Sequence, residues 1–396
     1  MSRLLPTIVH LDADAFFVSC ELSLHPELRG TKCAVGGRER GIISSASYEA
    51  RAVGVYTPMP TKLALKVCPD LILLPHTAGI YSRKSREMFD RCETVTPLVQ
   101  RNSIDEGYLD LAPCGLKTIA EIERKVRALQ QRIWDDLQIP TSFGLAANKL
   151  VAAIASKARK PRGFTIVPPG GEAAFLAPLK VSVLPGIGTK TSARLEAGGI
   201  HLVGDLLRLD EAALQAWFGR GWPEMLAMAR GEDDREVHVD HEDAKSYSVQ
   251  ETFGHDLADF AAIERIAKRM IDELMPAIRA DGKRVKTMTV KVRYPGMEDS
   301  SAGRSLPEAS DLEAPFYPLV AVLLRAAWSK RRPLRLVSVR FSNVEEKAAQ
   351  LEMFGQRQER QRRLAAVLDR INAGGPQAVV KHGHQLSKHE NTKERG

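Results

Sequence analysis

No apolar run in the 396-residue chain approaches the roughly 20 residues that span a bilayer. The N-terminus, MSRLLPTIVHLDAD, reaches acidic residues too soon for a signal peptide. Membrane insertion and secretion are therefore not expected. Cysteine is scarce as well. Cys20, Cys33, Cys68, Cys92 and Cys114 are an odd five, all in the first third of the chain, with no CxxC pair. A disulfide framework or zinc ribbon is not expected, and buried reduced thiols in a cytosolic protein are. Aromatics make up only 6%, which points to modest domains rather than one large core. No repeat recurs at a fixed period. The rest is ordinary for a folded protein, with 44% hydrophobic and 27% charged residues. The length allows two to four domains of roughly 100–200 residues, each able to bury a core without metal or disulfide staples.

Acids are missing in particular places. Lys149 to Arg162 and Gly282 to Pro295 each hold five Lys/Arg and no acid, and Arg325 to Arg340 holds six. Between the first two runs, Glu232 to Asp243 gathers seven acids and one Arg, which suits a linker better than a core. One basic run is most simply a solvated face. Three of them, with a net charge of +8 and a pI near 9.2, favour phosphate-backbone binding.

Ile8 to Leu11 reads as a buried strand ending at Asp12. Glu21 to Asp70 is mixed and rich in Gly and Pro, and reads as a small insertion with little core of its own. A helix is expected at Ile80 to Cys92, then strands at Leu98 to Ile104 and Tyr108 to Leu111, joined at Asp105-Glu106-Gly107. Ile119, Ile122, Val126, Leu129 and Ile133 have helical spacing within 119–137. Thr141 to Leu145 reads as a strand and Asn148 to Lys157 as a helix. This order is that of a split βαβ, or ferredoxin-like, sheet. Two short helices are expected around Pro185-Gly186-Ile187-Gly188. A second α+β unit follows the acidic stretch: helix Ile263 to Arg279, strand Met288 to Val292, helix Pro318 to Ser329, strand Leu334 to Phe341. The last forty or so residues are basic and polar, with a helical patch near Arg360 to Ile371 and disorder elsewhere. His382, His384 and His389 in that tail read as solvated rather than as metal ligands.

Four constellations carry chemistry. In a split βαβ sheet the first strand neighbours the hairpin, so Asp12 meets Asp105 and Glu106 at one sheet edge. Unit charges about 4 Å apart repel by roughly 4 kcal/mol at an effective dielectric near 20. Three carboxylates stay ionised together only if cations join them, and oxygen ligands alone select hard divalent ions, Mg²⁺ first. Two such ions activate a hydroxyl and stabilise a leaving pyrophosphate. Asp14 is left out, because one shallow site rarely needs a fourth carboxylate. Second, Ser44 to Arg51 offers hydroxyls, Tyr48 and Arg51 to a triphosphate, with Lys160 in Lys-Pro-Arg-Gly as a further candidate. Third, Leu184-Pro-Gly-Ile-Gly-Thr-Lys190 has the pattern of a helix-hairpin-helix. Its Gly186–Gly188 turn leaves amides free for a phosphate, with Lys190 and Arg194 following. Fourth, Gln350-Leu351-Glu352-Met353-Phe354 reads as a docking peptide beside a basic tail.

Ile8 to Glu21 (IVHLDADAFFVSCE), Tyr48 to Arg51 (YEAR), Ser103 to Glu106 (SIDE), Lys160 to Gly163 (KPRG) and the PGIG turn stand in order and spacing. Together they resemble the Y-family of translesion DNA polymerases, the bacterial DNA polymerase IV branch in particular, over about residues 6–345. The resemblance implies an α+β multidomain right hand. It has a split βαβ palm (1–20 and 77–166), small fingers (21–76) and a helix-hairpin-helix thumb (167–236). An acidic linker (237–244), an α+β little finger (245–345), and a clamp-binding peptide with a largely disordered tail (346–396) complete it. It implies template-directed addition of dNMP to a primer 3′-OH, with low fidelity and no proofreading. Asp12, Asp105 and Glu106 become ligands of two Mg²⁺ ions, assisted by the Ala13 carbonyl. Phe17 becomes the steric gate against a ribose 2′-OH, with Phe16 as the alternative. Ser45, Tyr48, Arg51 and Lys160 hold the incoming dNTP. Gly186, Gly188, Lys190, Lys283, Arg284, Lys286, Arg331 and Arg332 contact primer-template DNA, and Gln350, Leu351, Met353 and Phe354 bind a sliding clamp. A cytoplasmic, nucleoid-associated bacterial monomer is expected. Two departures stand out: Ile-Ser-Ser-Ala-Ser precedes YEAR, and Gly107 follows SIDE where Ala is more usual, which is expected to loosen the hairpin. The rival readings are a non-catalytic DNA-binding accessory of the same fold and a metal-dependent nuclease.

Overall fold

Every residue of β1 (Ile8–Ala13) is buried, so the first strand lies inside a sheet covered on both faces. It leads into α1 (Phe16–Leu22) and then an excursion: β2 (Cys33–Gly36), β3 (Ile42–Ala46), α2 (Tyr48–Ala52), β4 (Met59–Pro60), α3 (Thr61–Val67) and β5 (Ile72–Leu74). The chain returns through α4 (Ile80–Glu93), the hairpin β6 (Val99–Arg101) and β7 (Glu106–Asp110), α5 (Ile119–Leu137), β8 (Thr141–Ala146), α6 (Lys149–Lys157) and β9 (Phe164–Ile166). The computed structural model describes residues 4–37, 40–239, 243–330, 332–346, 356–373, 380 and 383. It divides into two units, Met1–His241 and Glu242–Gly396.

The main sheet of the first unit runs β6-β7-β1-β8-β9. β1 is antiparallel to both neighbours, as a split βαβ order requires, and β9 adds a parallel edge strand that was not expected. Val9 and Leu11 point to one face, into the core under α4 and α5. Ile8 points to the other, into a core shared with α6. α5 shows why these helices form. Thr118 Oγ1 accepts from the Glu121 amide at 3.2 Å, and the Glu121 carboxylate accepts from the Thr118 amide at 3.3 Å. Such a capping box stabilises by about 1 kcal/mol. Ile122, Val126, Leu129, Ile133 and Leu137 are all buried, each contributing about 1.5–3 kcal/mol. Gln138 ends the helix in a left-handed conformation, before Pro140.

The excursion has more structure than its composition promised. Its sheet runs β4-β3-β2-β5 and closes on a small core that includes Ala34, Ile43, Ala50 and Leu71. After β9 come α7 (Glu172–Leu176), α8 (Thr189–Ala197), α9 (Val203–Leu206), α10 (Glu211–Phe218) and α11 (Trp222–Arg230). The element before the PGIG turn is a single 3₁₀ turn, Val181–Val183, rather than an α-helix. The start of the acidic stretch is no free linker either. Asp233 accepts from the Leu150 amide at 2.8 Å, the Glu236 carbonyl accepts from Lys149 at 3.0 Å, and Val237 is buried.

The second unit contains β10 (Ser246–Leu257), α12 (Phe260–Ala280), β11 (Lys283–Arg293), β12 (Asp299–Ser310), α13 (Tyr317–Ala327), β13 (Leu334–Glu346) and α14 (Gln356–Ala373). Its antiparallel sheet runs β10-β13-β11-β12, with Val290, Val292, Val339 and Phe341 packed against α12 and α13. β10 and β12 were not expected, because polar residues and, in β12, Gly303 and Pro307 dilute their alternation. α14 matches the expected helical patch. It is tied down by Arg279, which donates to both Asp369 oxygens at 2.7 and 2.8 Å. Among the described residues no helix is long and apolar enough to cross a membrane. Arg331, the Gln350–Phe354 peptide and the three tail histidines lie outside the described residues.

Candidate active site

β1 and β7 pair in a register that sets Asp12 directly opposite Glu106. Asp105 lies at the mouth of the hairpin, where its carbonyl accepts from the Ala13 amide at 2.8 Å. The three sequence-identified carboxylates are thus gathered at one edge of the sheet. Each is turned onto a protein partner. Asp12 pairs with the Lys160 ammonium. Asp105 accepts from Ser103 Oγ, and Glu106 lies 3.6 Å from Lys157 Nζ. Accordingly, among the described residues no three such groups converge as a ready-made metal cluster. The donor set nevertheless fits a hard cation. It is all oxygen, and the Lys160 ammonium stands in for a cation at Asp12.

Glu106 also lies 3.8 Å from His10 Nε2. That contact is not an ion pair at neutral pH. Burial pulls the His10 imidazole down to about 3, and the positive charges of Lys157 and Lys160 act in the same direction. Gly107, opposite Leu11, does not loosen the hairpin. A Cβ there would stand 2.6 Å from the Gln100 carbonyl and 2.7 Å from the Phe89 ring, so the glycine permits a close approach.

Asp14 has a place that the sequence reading did not give it. It is fully buried and accepts from Ser142 Oγ at 2.9 Å, from the Arg162 amide at 2.8 Å and from the Tyr48 hydroxyl at 3.3 Å. Lys160 Nζ is 3.5 Å away. Burial pushes its carboxyl above the ordinary value, and these donors pull it back only in part. Two candidate triphosphate ligands, Tyr48 and Lys160, therefore meet at one buried carboxylate. The i, i+2 spacing of Asp12 and Asp14 at a strand end was the available signal.

The remaining candidates are distributed as follows. Arg51 lies over the Tyr48 ring at 5.0 Å and donates to the Ala46 carbonyl at 3.0 Å. Ser45 is buried on β3, while Ser44 is the exposed hydroxyl. Phe16 is only 3% exposed and belongs to the core. Phe17 is partly exposed and rests edge-on against Tyr81 at 4.8 Å. The Tyr81 hydroxyl donates to buried Glu21, which also accepts from Thr77. Gly186 has φ +85, and Gly188 caps α8 without a side-chain bond. Lys190 is exposed.

Lys283 corrects an expectation. It is 7% exposed, and its ammonium is taken by Asp243 and Glu346, so it is not presented to phosphate. Lys149, in the first basic run, is also turned inward, onto Gln100 and the Glu236 carbonyl. Arg284 and Lys286 are half-buried on β11, and Arg332 is exposed over the Tyr294 ring.

Residues 11–157 match the family described as impB/mucB/samB family, and residues 244–353 match its C-terminal domain. Residues 182–233 match the thumb domain of DNA polymerase iota. The structure resembles a Y-family DNA polymerase chimera, with a TM-score of 0.77 and 26% identity over 86% of this chain and 99% of that one. It also resembles the insertion ternary complex of Dbh DNA polymerase, with a TM-score of 0.61 and 25% identity over the same shares. These likenesses define a Y-family polymerase, with palm and fingers, a helix-hairpin-helix thumb and a C-terminal little finger. A DNA polymerase IV from Opitutus terrae is 71% identical over 97% of this chain and 98% of that protein. The chain belongs to the DNA polymerase IV family, and its activity is that of a translesion, DNA-directed DNA polymerase that uses divalent metal.

Proposed function

We propose that Asp12, Asp105 and Glu106, assisted by the Ala13 carbonyl, hold two Mg²⁺ ions at which dNMP is joined to a primer 3′-OH opposite a template base. The observation that carries this reading is the Asp12–Glu106 register pair, with Asp105 adjacent. Bound there, the ions would favour the ionised 3′-hydroxyl and stabilise the leaving pyrophosphate. Tyr48, Arg51, Lys160 and Ser45 orient the triphosphate, with Asp14 aligning the first and third of them. The path keeps to addition, because Arg51 and Lys160 serve a triphosphate that hydrolysis does not need. Fidelity is low and proofreading is absent. Single-nucleotide insertion with Mg²⁺ tests the reading; no insertion at saturating dNTP would overturn it.

Phe17, rather than Phe16, is the sugar gate. Its ring is partly exposed and backed by Tyr81, whereas Phe16 is in the core. Phe17→Ala should raise the rNTP/dNTP incorporation ratio about tenfold or more, a change of ~1.4 kcal/mol in discrimination. An unchanged ratio would return the gate to another residue.

The domain limits read from the sequence serve as the working division: palm 1–20 and 77–166, fingers 21–76, thumb 167–236, linker 237–244, little finger 245–345. The Gly186–Gly188 turn at the start of α8, with exposed Lys190 following, suits a DNA phosphate. On the little finger, the row Thr289, Arg340 and Ser248 crosses three strands of one sheet face. Arg284, Lys286, Arg331 and Arg332 are assigned to DNA phosphates as well, and Lys283, held by Asp243 and Glu346, is withdrawn from that set. Arg332→Ala with Arg340→Ala should flatten the log–log salt dependence of primer-template affinity by about 0.9 for each phosphate these arginines neutralise. An unaltered slope would remove this face from the DNA path.

Gln350, Leu351, Met353 and Phe354 bind the sliding clamp, which turns each rebinding to DNA into an intramolecular step. Met353→Ala with Phe354→Ala should abolish clamp stimulation while leaving unassisted extension and Tm unchanged. Retained stimulation would refute this. The protein works as a monomer on nucleoid DNA in the cytoplasm.

A further inference from the structure

The loop that carries Lys160 is held by contacts for which the chemistry above has no use. Arg162, two residues on, has φ +52, a left-handed conformation rarely adopted by a residue with a side chain. Its amide donates to Asp14 at 2.8 Å, and its guanidinium lies 4.6 Å from the centre of the Trp134 ring. The next amide, Gly163, donates to Ser142 Oγ at 3.0 Å. One helical turn before Trp134, Gln130 Nε2 donates to the Thr141 carbonyl at 2.7 Å and to the Gly163 carbonyl at 3.3 Å. Residues i and i+4 of a helix share a face, so one face of α5 grips the loop by its backbone and by its arginine. Arg29, from the segment that enters the excursion, places its guanidinium 5.0 Å from the same Trp134 ring and donates to Gln138 at 2.7 Å.

We propose that Trp134 and Arg162 are positioning residues for nucleotide binding: their stack fixes the Lys160 loop and thereby sets dNTP affinity. The inference rests on the assignment of Lys160 to the triphosphate. A guanidinium packed on an indole is a directional contact, strongest for Trp, and here the exposed Arg162 packs on a half-buried Trp134. It anchors the side chain of a residue whose backbone is otherwise disfavoured. Without it the loop relaxes, and the ammonium two residues away loses its fixed position beside Asp12 and Asp14.

Single-turnover incorporation on primer-template DNA, at varied dNTP, separates dNTP Kd from the maximal rate. Trp134→Ala should raise that Kd about tenfold with the rate changed by less than about twofold, and Trp134→Phe should restore most of the affinity. Arg162→Ala, an exposed-site change with little effect on Tm, should reproduce the Ala result. In a Lys160→Ala background the Trp134 effect should vanish, because the two act through one contact. A wild-type dNTP Kd in Trp134→Ala, or a full effect persisting without Lys160, would overturn the positioning role while leaving Lys160 in place. If Lys160→Ala itself leaves dNTP affinity unchanged, the Lys160 assignment fails and this inference with it.

Discussion

Asp105→Asn is expected to lower the rate of nucleotide addition by about a thousandfold or more, a loss of ~4 kcal/mol from the transition state. The substitution removes one charge from the sheet edge and little else. Asn keeps the volume, and the backbone bond from the Ala13 amide to the residue-105 carbonyl does not involve the side chain. Affinity for primer-template DNA should stay within about twofold of wild type, because the basic residues are untouched. The check is single-nucleotide insertion in parallel with DNA binding by fluorescence anisotropy. Loss of both would mean that the residue supports the fold; retention of both would mean that it is not a metal ligand.

Gly144→Ala should be among the most destabilising single methyl additions in the first unit. Gly144 lies on β8 where α6 crosses it. A Cβ would meet the Ala152 carbonyl oxygen at 2.1 Å and the Ser156 nitrogen at 2.4 Å. Both are backbone atoms, so no side-chain rotation relieves the clash and α6 must move away from the sheet. Overpacking of this kind costs about 3 kcal/mol, which lowers Tm by about 6 °C or more in a domain of this size. The same shift would displace Lys157, at the end of α6, and the Lys160 loop that follows, so activity should fall at temperatures where the variant remains folded. Thermal unfolding followed by circular dichroism is the measurement. A Tm within about 1 °C of wild type would show that α6 and β8 have room to part.

The elements readable from the sequence were those whose apolar spacing is complete. α5 has every core position filled by Ile, Val or Leu and carries its capping box in Thr118 and Glu121, so both its range and its buried face were legible. β1 was legible as a short apolar run ending at Asp12, β7 as the second arm of a hairpin joined at Asp105-Glu106-Gly107, and the split βαβ order followed from the succession of elements. The edge strands were not. β9 is three residues after a Lys-Pro-Arg-Gly loop, and β10 and β12 have largely exposed, polar faces, so neither period nor composition marks them.

The site divides in the same way. Asp12, Asp105 and Glu106 stood out as charged residues at strand ends, where a core strand should have none. Asp14 was set aside as a fourth carboxylate despite its spacing from Asp12, and Glu21 was missed, because the partners that define them are distant in the chain: Ser142 and Arg162 for the first, Thr77 and Tyr81 for the second. Such long-range pairing leaves no local pattern. Lys283 shows the converse error. A lysine in an acid-free run looked solvated, yet Asp243 and Glu346, forty residues before it and more than sixty after it, neutralise it in the fold. Charge counted along the chain overstates the charge presented at the surface.

The most direct test is primer extension on a template of known sequence, with Mg²⁺ and each dNTP supplied singly. The expected result is addition of the complementary nucleotide, dependent on the metal, abolished by Asp105→Asn, and with the primer intact when dNTP is withheld. A primer that shortens under those conditions, or one that is bound but never extended, would contradict the assignment of the three carboxylates to nucleotide addition.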